Sequence, residues 1–231
     1  MTSDMRIGRV LVTGGSSGLG AATVEAVAAA GGTPLVIDRV TPPADVDHDL
    51  VDLADSRRAE RSVRLLADRA GGLDAVVTAA GIDACGRLED VPGEDWDRVV
   101  AVNLVGTAAV VRAAMPYLLR SRGTVITVAS TLGLRALPDA TAYCASKFGI
   151  VGFTRALAAE TAGRVGVTLV VPGGMRTAFF DGRPEQYRPP VDAKLNDPAD
   201  VARVVLLALT QPAGCELREL VVAASEESSW P

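Results

Sequence analysis

The chain has 231 residues, of which 48% are hydrophobic and 22% charged, and this composition is typical of a folded protein and excludes intrinsic disorder. The net charge is −5 and no stripe of lysine and arginine stands out, so we expect neither nucleic acid nor a membrane as a partner. The single histidine, His48, excludes a metal site built on several histidines and disfavours a histidine-based hydrolase, and we expect no metal site.

The cysteines indicate the compartment. Cys85, Cys144 and Cys215 are odd in number and widely spaced, which excludes a disulfide framework and favours a reducing, cytoplasmic location. Residues 1–8 lack the apolar stretch of a signal peptide, and no uninterrupted apolar run approaches the roughly 18 residues of a membrane span.

Short apolar runs alternate with helical patterns along the chain. The predicted strands lie at 10–12, 35–37, 46–51, 75–77, 124–128, 167–171 and 217–222, and the predicted helices at 18–30, 63–70, 94–119, 141–161 and 198–209. Most strands are continuous Val, Ile and Leu runs, as expected of parallel strands covered on both faces. The repeated β-α-β order predicts an α/β fold in one domain over 1–231, with a doubly wound parallel sheet of about seven strands between two helical layers.

One segment interrupts this order. Residues 173–197 are rich in proline and glycine and show little apolar periodicity. Long connections in compact domains are often lids or binding loops, so we expect a substrate-specificity loop here, with a flexible insertion as the alternative.

A glycine-rich turn joins the first strand to the first helix. Its glycines allow a close approach of the backbone to a ligand, and the helix start offers free N–H groups to a pyrophosphate. We therefore expect this turn to bind a dinucleotide through Gly14, Ser16, Ser17, Gly18 and Leu19.

The second strand ends at Asp38, 20 residues after Gly18. A carboxylate at this distance accepts hydrogen bonds from ribose hydroxyls and repels a 2′-phosphate, which favours NAD over NADP. Arg39 follows directly and suits a phosphate, so NADP remains the less favoured alternative.

These residues resemble the short-chain dehydrogenase/reductase family, in its shorter single-domain branch with a Rossmann-type sheet, from about residue 7 to 210. The resemblance is carried by the glycine turn, by Tyr143-x-x-x-Lys147 and by Ser130, which lies 13 residues before the tyrosine. It implies a catalytic set of Asn103, Ser130, Tyr143 and Lys147. It also implies a cofactor site that includes Asp52, Leu53, Ala80, Gly81, Asn103, Tyr143, Lys147, Pro172, Gly173, Met175 and Thr177.

The chemistry of the tyrosine and the lysine agrees with that resemblance. Tyr143 and Lys147 are four residues apart, so both project from one face of a helix. A free phenol has a pKa near 10, and a nearby ammonium lowers that pKa towards neutrality. Tyr143 is then suited to exchange a proton with an alcohol or a ketone, while Ser130 is expected to bind the substrate oxygen. Asn103 is implied to hold a water that relays protons behind Lys147.

Two departures from the family pattern stand out. Thr78 occupies a position where the family usually has asparagine, so its support of the central sheet is either missing or supplied by the threonine. The chain ends in a polar tail with Trp230, which either packs on a pocket rim or a neighbouring subunit, or belongs to a frayed terminus.

The sequence thus predicts an NAD(H)-dependent oxidoreductase that interconverts a secondary alcohol and a ketone. Apolar residues after Ser130 and in the specificity loop slightly favour a hydrophobic or acyl substrate, although basic residues in the loop also suit an anionic group. The alternative is a catalytically idle cofactor-binding or redox-sensing protein. The resemblance further implies a homodimer or homotetramer through the helices at 94–119 and 141–161.

Overall fold

The computed structural model describes residues 7–43, 45–212, 214–227 and 229. Trp230 and residues 1–6 lie outside the described residues, so the expectations for the tail end and for most of the N-terminus are not addressed by it.

Seven parallel strands form one sheet, as the sequence predicts. The strands are β1 (Arg9–Thr13), β2 (Thr33–Asp38), β3 (Asp47–Leu50), β4 (Ala75–Thr78), β5 (Thr124–Val128), β6 (Gly166–Pro172) and β7 (Glu219–Val222). Their order across the sheet is β3-β2-β1-β4-β5-β6-β7. The order reverses direction between β1 and β4, which opens a crevice at the carboxyl ends of these strands.

Helices cover both faces of the sheet. They are α1 (Gly18–Ala29), α2 (Ser56–Ala70), α3 (Gly93–Val100), α4 (Thr107–Ser121), α5 (Thr141–Glu160) and α6 (Pro198–Leu209). Helices α1 and α6 bury Val24 and Val205 against one face. On the other face, α2 and α4 bury Leu66 and Leu118, and α5 packs Ile150 against β6. The three layers confirm the predicted doubly wound α/β architecture.

The helix expected at 94–119 is continuous from residue 93 to 121 but changes its winding. A six-residue π-helical turn, Ala101–Gly106, joins α3 to α4. Such turns are rare within α-helices and often occur at functional sites, and this one carries Asn103.

The same helix corrects the expectation about membrane spans. Gly93–Ser121 is long and apolar enough to cross a membrane by length and composition, with a mean hydropathy of 1.6 over its most apolar window. Its apolar residues do not form an uninterrupted run, because Asn103 and Arg112 lie among them. Since 56% of that window is buried within the protein, the helix has the character of a core helix.

Two local features go beyond the predicted elements. His48 lies half-buried in the edge strand β3, within the strand predicted at 46–51, and its Nδ1 lies 2.9 Å from the carbonyl oxygen of Val46. Segment 173–197 contains two short 3₁₀ turns, Ala178–Phe180 and Glu185–Tyr187. Its ends are joined because Asn196 N–H donates to the carbonyl of Gly174.

Candidate active site

A cleft of about 1030 Å³ lies at the carboxyl ends of the strands. One end is formed by Asp38 and Arg39 after β2, and the other by Tyr143 and Lys147 on α5. The cleft therefore brings together residues that the sequence separates by more than 100 positions. This is the place where open parallel sheets bind ligands.

The glycine-rich turn forms a close-fitting wall of the cleft. Gly14 has a φ of +72°, and a Cβ there would lie 2.8 Å from the Cα of Ala80, so only glycine allows this approach. Gly18 has a φ of +51° and faces the side chain of Thr177. Ser17, which precedes α1, makes no capping hydrogen bond with its side chain, so the first N–H groups of the helix remain available to a ligand.

Asp38 is held in place by backbone donors. Its carboxylate accepts hydrogen bonds from the N–H groups of Ser16, at 2.9 Å, and of Arg39, at 2.6 Å. Ser16, which we expect to bind the dinucleotide, is not among the residues that line the cleft, and its hydroxyl donates to the carbonyl of Val40 at 2.7 Å. The carboxylate is therefore oriented at the end of β2, while Ser16 contacts it only through the backbone.

The neighbouring wall is formed by residues after β3 and β4. Asp52 and Leu53 line the cleft, as do Ala80 and Gly81. Asp52 pairs with Arg98 at 2.5 Å and lies 4.0 Å from Arg39. The guanidinium of Arg98 and a backbone donor keep the pKa of Asp52 below its ordinary value despite burial, so the charge of Arg39 faces a carboxylate.

The side chain of Thr78 is buried at the end of β4. Its hydroxyl is buried and has no hydrogen-bond partner among the described residues, so it gives no polar support to the sheet. The neighbouring loop is instead held by Thr13, whose hydroxyl accepts from the N–H of Ala80 at 3.3 Å.

Ser130, Tyr143 and Lys147 meet at the far end of the cleft. Ser130 follows β5, begins the short turn Thr131–Gly133, and its hydroxyl faces that of Tyr143 closely enough to lower the pKa of the tyrosine. The Lys147 Nζ lies 5.6 Å from the ring centre of Tyr143 and donates to the carbonyl of Val128 at 3.0 Å. A Cβ on Gly133 would lie 2.8 Å from the Lys147 carbonyl oxygen, so this glycine lets the serine turn reach α5.

Burial dominates the electrostatics of this group. Desolvation raises the pKa of Tyr143 well above its ordinary value, a hydrogen bond from Ser130 opposes that rise, and the charge of Asp83 adds to it. Desolvation also lowers the pKa of Lys147 to about 8, with partial opposition from Asp83. At pH 7 the tyrosine is thus neutral and the lysine still mainly protonated.

Asn103 lies behind these residues, outside the lining of the cleft. From the π-helical turn its amide accepts from the N–H of Ile82 at 2.8 Å and donates to the carbonyl of Ile82 at 2.9 Å. It also donates to the hydroxyl of Ser146 on α5 at 3.0 Å. A Cβ on Gly81 would lie 3.5 Å from Lys147 Nζ and 3.6 Å from Asn103 Oδ1, which places the asparagine close to the lysine.

The segment after β6 forms the roof of the cleft. Pro172, Gly173, Met175 and Thr177 all line it. The ring of Phe179 lies 5.6 Å from that of Tyr143. Of the residues directly after Ser130, Thr131 and Leu132 line the cleft, whereas Leu134 packs against the core beside α5. Leu137 and Pro138, further along the same loop, also line it.

The sequence analysis did not assign Asp83, Cys85 or Glu227 to the site, and all three line the cleft. Asp83 forms an ion pair with Arg183 at 2.8 Å, and the two side chains are only 6% and 16% exposed. Arg183 also stacks on Phe180, with 4.7 Å between the guanidinium carbon and the ring centre. Asp83 follows the carboxyl end of β4, and this position was an available signal. No local sequence pattern indicated Cys85 or Glu227, because these residues reach the cleft only when the chain folds.

The cleft suits a dinucleotide on the chain's own features. The glycine cradle, the uncapped start of α1 and the oriented Asp38 offer partners for phosphates and a ribose, and Lys147 adds an ammonium near the other end. Within the described residues, no group of three His, Cys, Asp or Glu side chains is arranged to hold a metal ion.

Comparisons with known proteins agree with this geometry. A model of the family described as short chain dehydrogenase matches residues 8–188. The chain is 32% identical over 215 residues to the 3-oxoacyl-(acyl-carrier-protein) reductase of Thermotoga maritima, a match that covers 85% of this chain and 87% of the relative. It is 35% identical over 196 residues to the D-beta-hydroxybutyrate dehydrogenase of Rhizobium meliloti, which covers 77% of this chain and 76% of the relative.

Solved structures share the fold. An alcohol dehydrogenase from the archaeon Thermococcus sibiricus, complexed with 5-hydroxy-NADP, has a TM-score of 0.84 at 23% identity and covers 93% of this chain and 95% of that one. A short chain dehydrogenase from Burkholderia cenocepacia in complex with NADP has a TM-score of 0.83 at 25% identity and covers 96% of this chain and 98% of that one.

Proposed function

The chain belongs to the short-chain dehydrogenase family of oxidoreductases, and we propose that it interconverts a secondary alcohol and a ketone with NAD(H). The observation that carries this proposal is the meeting of Ser130, Tyr143 and Lys147 at one end of a cleft whose other end is the glycine-rich turn. A catalytically idle binding protein has no need of all three side chains at one end of the cleft.

Each side chain has a separate task in this proposal. Tyr143 donates a proton to the carbonyl oxygen during reduction and accepts it from the alcohol during oxidation. Ser130 orients the substrate oxygen and donates to the phenolate. The ammonium of Lys147, whose Nζ lies 5.6 Å from the ring centre of Tyr143, favours the phenolate that forms when the tyrosine gives up its proton. The cofactor, when bound, supplies or accepts the hydride.

Asn103 is a positioning residue in this scheme. Its amide fixes both backbone groups of Ile82 and reaches Ser146 on the helix that carries Tyr143 and Lys147. It thereby ties the loop after β4 to the catalytic helix. A proton-relaying water behind Lys147 remains a proposal that rests on the family resemblance.

The cofactor site supports NAD over NADP. The carboxylate of Asp38 is oriented by backbone donors at the end of β2, where it accepts ribose hydroxyls and repels a 2′-phosphate. Arg39 faces Asp52, which weakens its attraction for a phosphate. Isothermal titration is expected to give NAD⁺ at least about tenfold tighter binding than NADP⁺, and tighter binding of NADP⁺ would contradict this preference.

The substrate end of the cleft supports an uncharged, apolar group next to the reacting oxygen. Phe179, Phe180 and Leu132 line it. The charge of Arg183 is paired with Asp83 and is therefore not free to bind an anionic substrate. We therefore favour a hydrophobic or acyl ketone, with segment 173–197 as the specificity loop of a single domain.

Substitution of Tyr143 tests the mechanism. Tyr143→Phe removes the proton that the hydroxyl transfers, so turnover is expected to fall by about 10³-fold or more, while the dissociation constant for NAD⁺ changes little. Turnover is followed by nicotinamide absorbance in a screen of alcohols and ketones. Activity equal to that of the wild type would overturn the mechanism.

Assembly and location complete the proposal. We propose a homodimer or homotetramer in the cytoplasm, acting on a small molecule and not on nucleic acid or a membrane. All three cysteines are free thiols, which supports a reducing compartment.

A further inference from the structure

The C-terminal tail, here residues 225–227 and 229, crosses the cleft between two strand ends. The Glu227 carboxylate accepts a hydrogen bond from the N–H of Gly174, after β6, at 2.9 Å. The Ser229 hydroxyl lies 2.6 Å from that of Thr131, which follows Ser130 at the end of β5. The tail therefore joins the segment of the catalytic serine to the roof of the cleft.

The carboxylate of Glu227 lies directly against the roof. A Cβ on Gly173 would lie 2.6 Å from its Oε2, so glycine is needed here to let the carboxylate approach the backbone. Its Oε1 accepts from the hydroxyl of Ser229 at 2.7 Å and from the N–H of the same residue at 3.2 Å.

These hydrogen bonds favour the ionised form of the Glu227 carboxyl group. Burial opposes ionisation, but hydrogen bonds from Ser229 and Gly174 outweigh it and keep the pKa of Glu227 below its ordinary value. The donors are neutral hydroxyl and amide groups, so they orient the negative charge without cancelling it. A fixed negative charge thus stands beside Gly173 and Gly174.

The proposed reaction requires the nicotinamide to lie beside Ser130 and Tyr143, because the hydride and the proton reach the same carbonyl group, and Ser229 joins Glu227 to Thr131, the neighbour of Ser130. The oxidised ring carries a positive charge, whereas the reduced ring is neutral. We propose that Glu227 sets the preference for the oxidation state of the cofactor, because its carboxylate attracts the oxidised ring and not the reduced one. The inference rests on the proposed function and adds to it a residue outside the Ser-Tyr-Lys group.

The experiment compares binding of NAD⁺ with binding of NADH to the full chain, by calorimetry or by fluorescence. Glu227→Gln removes the charge but keeps an oxygen that accepts from Gly174. The ratio of the NAD⁺ dissociation constant to the NADH dissociation constant is expected to rise by about three- to tenfold. Glu226→Gln is the matched control, since Glu226 is the neighbouring, exposed carboxylate, and it is expected to change the ratio by less than about twofold.

The outcomes separate this inference from the proposed function. An unchanged ratio in Glu227→Gln, or equal weakening of both cofactor forms, overturns the inference, because equal weakening means that Glu227 only holds the backbone. If that variant is poorly folded by circular dichroism, a chain ending at Ala224 removes the same charge and is expected to raise the ratio likewise. Failure of the wild type to bind either form overturns the proposed function as well.

Discussion

Single buried polar groups limit the stability of this protein, and Thr78 is the clearest case. Its hydroxyl has no hydrogen-bond partner among the described residues, whereas Thr127, its register partner on β5, shares a hydrogen bond of 2.7 Å with Thr154. Thr78→Val is expected to raise the free energy of unfolding by about 1 kcal/mol, because an unpaired hydroxyl is costly to bury. Thr127→Val, the matched control, is expected to lower it by about 1 kcal/mol. Urea unfolding measures both, and a loss of stability in Thr78→Val would refute this account.

Lys147 illustrates a conflict between stability and function in one residue. Its side chain is buried, and burial lowers its pKa to about 8 from an ordinary 10.5. Lys147→Met is therefore expected to abolish turnover and yet raise the free energy of unfolding at pH 7 by about 1–3 kcal/mol. Between pH 8 and 10.5 the unfolded wild type holds a proton that the folded wild type lacks, so rising pH stabilises the wild type.

The pH dependence supplies the control for that prediction. The difference in the free energy of unfolding between Lys147→Met and the wild type is expected to be largest below about pH 8 and to shrink towards pH 10.5. Denaturant unfolding across this range measures it. A difference that stays constant from pH 7 to pH 10.5 would argue against a buried ammonium as the cause.

At the scale of elements, the contact between β1 and α1 depends on the absence of a side chain. A Cβ on Gly20, in the first turn of α1, would lie 1.9 Å from the carbonyl oxygen of Gly14. Gly20→Ala is therefore expected to cost more than about 2 kcal/mol of stability and to weaken NAD⁺ binding, because the glycine turn must move.

Another helical glycine provides the comparison. A Cβ on Gly152, in α5, would meet nothing within 4 Å, so Gly152→Ala is expected to gain about 0.5–1 kcal/mol from helix propensity. Thermal unfolding and cofactor titration of both variants test the pair. A Gly20→Ala variant with an unchanged melting temperature would show that the turn adapts.

At the scale of the whole molecule, apolar side chains remain exposed on the helices proposed for assembly. Val105 on the π-helical turn is 47% exposed, and Phe148 on α5 is 45% exposed. Phe148→Glu is expected to shift the oligomer towards monomers in light scattering at micromolar concentration, because it places a charge in an apolar contact. Val191→Glu in segment 173–197, also at an exposed apolar residue, is the control and is expected to leave the mass unchanged. A wild-type protein that is already monomeric would contradict the proposed homodimer or homotetramer.

Much of the fold and part of the candidate site follow from local patterns. The strands near β1 and β5 are evident from their apolar runs, and Tyr143 and Lys147 share a helix face because they are four residues apart. The π-helical turn around Asn103 has no such pattern, since the residues of Ala101–Gly106 suit an α-helix equally well. The polar edge strand β3 was placed by sequence only to within a few residues, since its Asp47–Leu50 lacks an apolar run.

Chain order and side-chain type alone account for the sheet architecture, the glycine turn and the tyrosine–lysine pair, because each depends on contacts within a few residues or on strand periodicity. The pairing of Asp83 with Arg183 joins positions 100 residues apart, and Glu227 reaches Gly174 across 53 residues. Such pairings arise only when the strand ends converge, and they decide the charge of the cleft. The single histidine disfavours histidine-based chemistry and the family resemblance implies Tyr143 instead, but only the folded chain shows that burial raises the pKa of Tyr143 and lowers the pKa of Lys147.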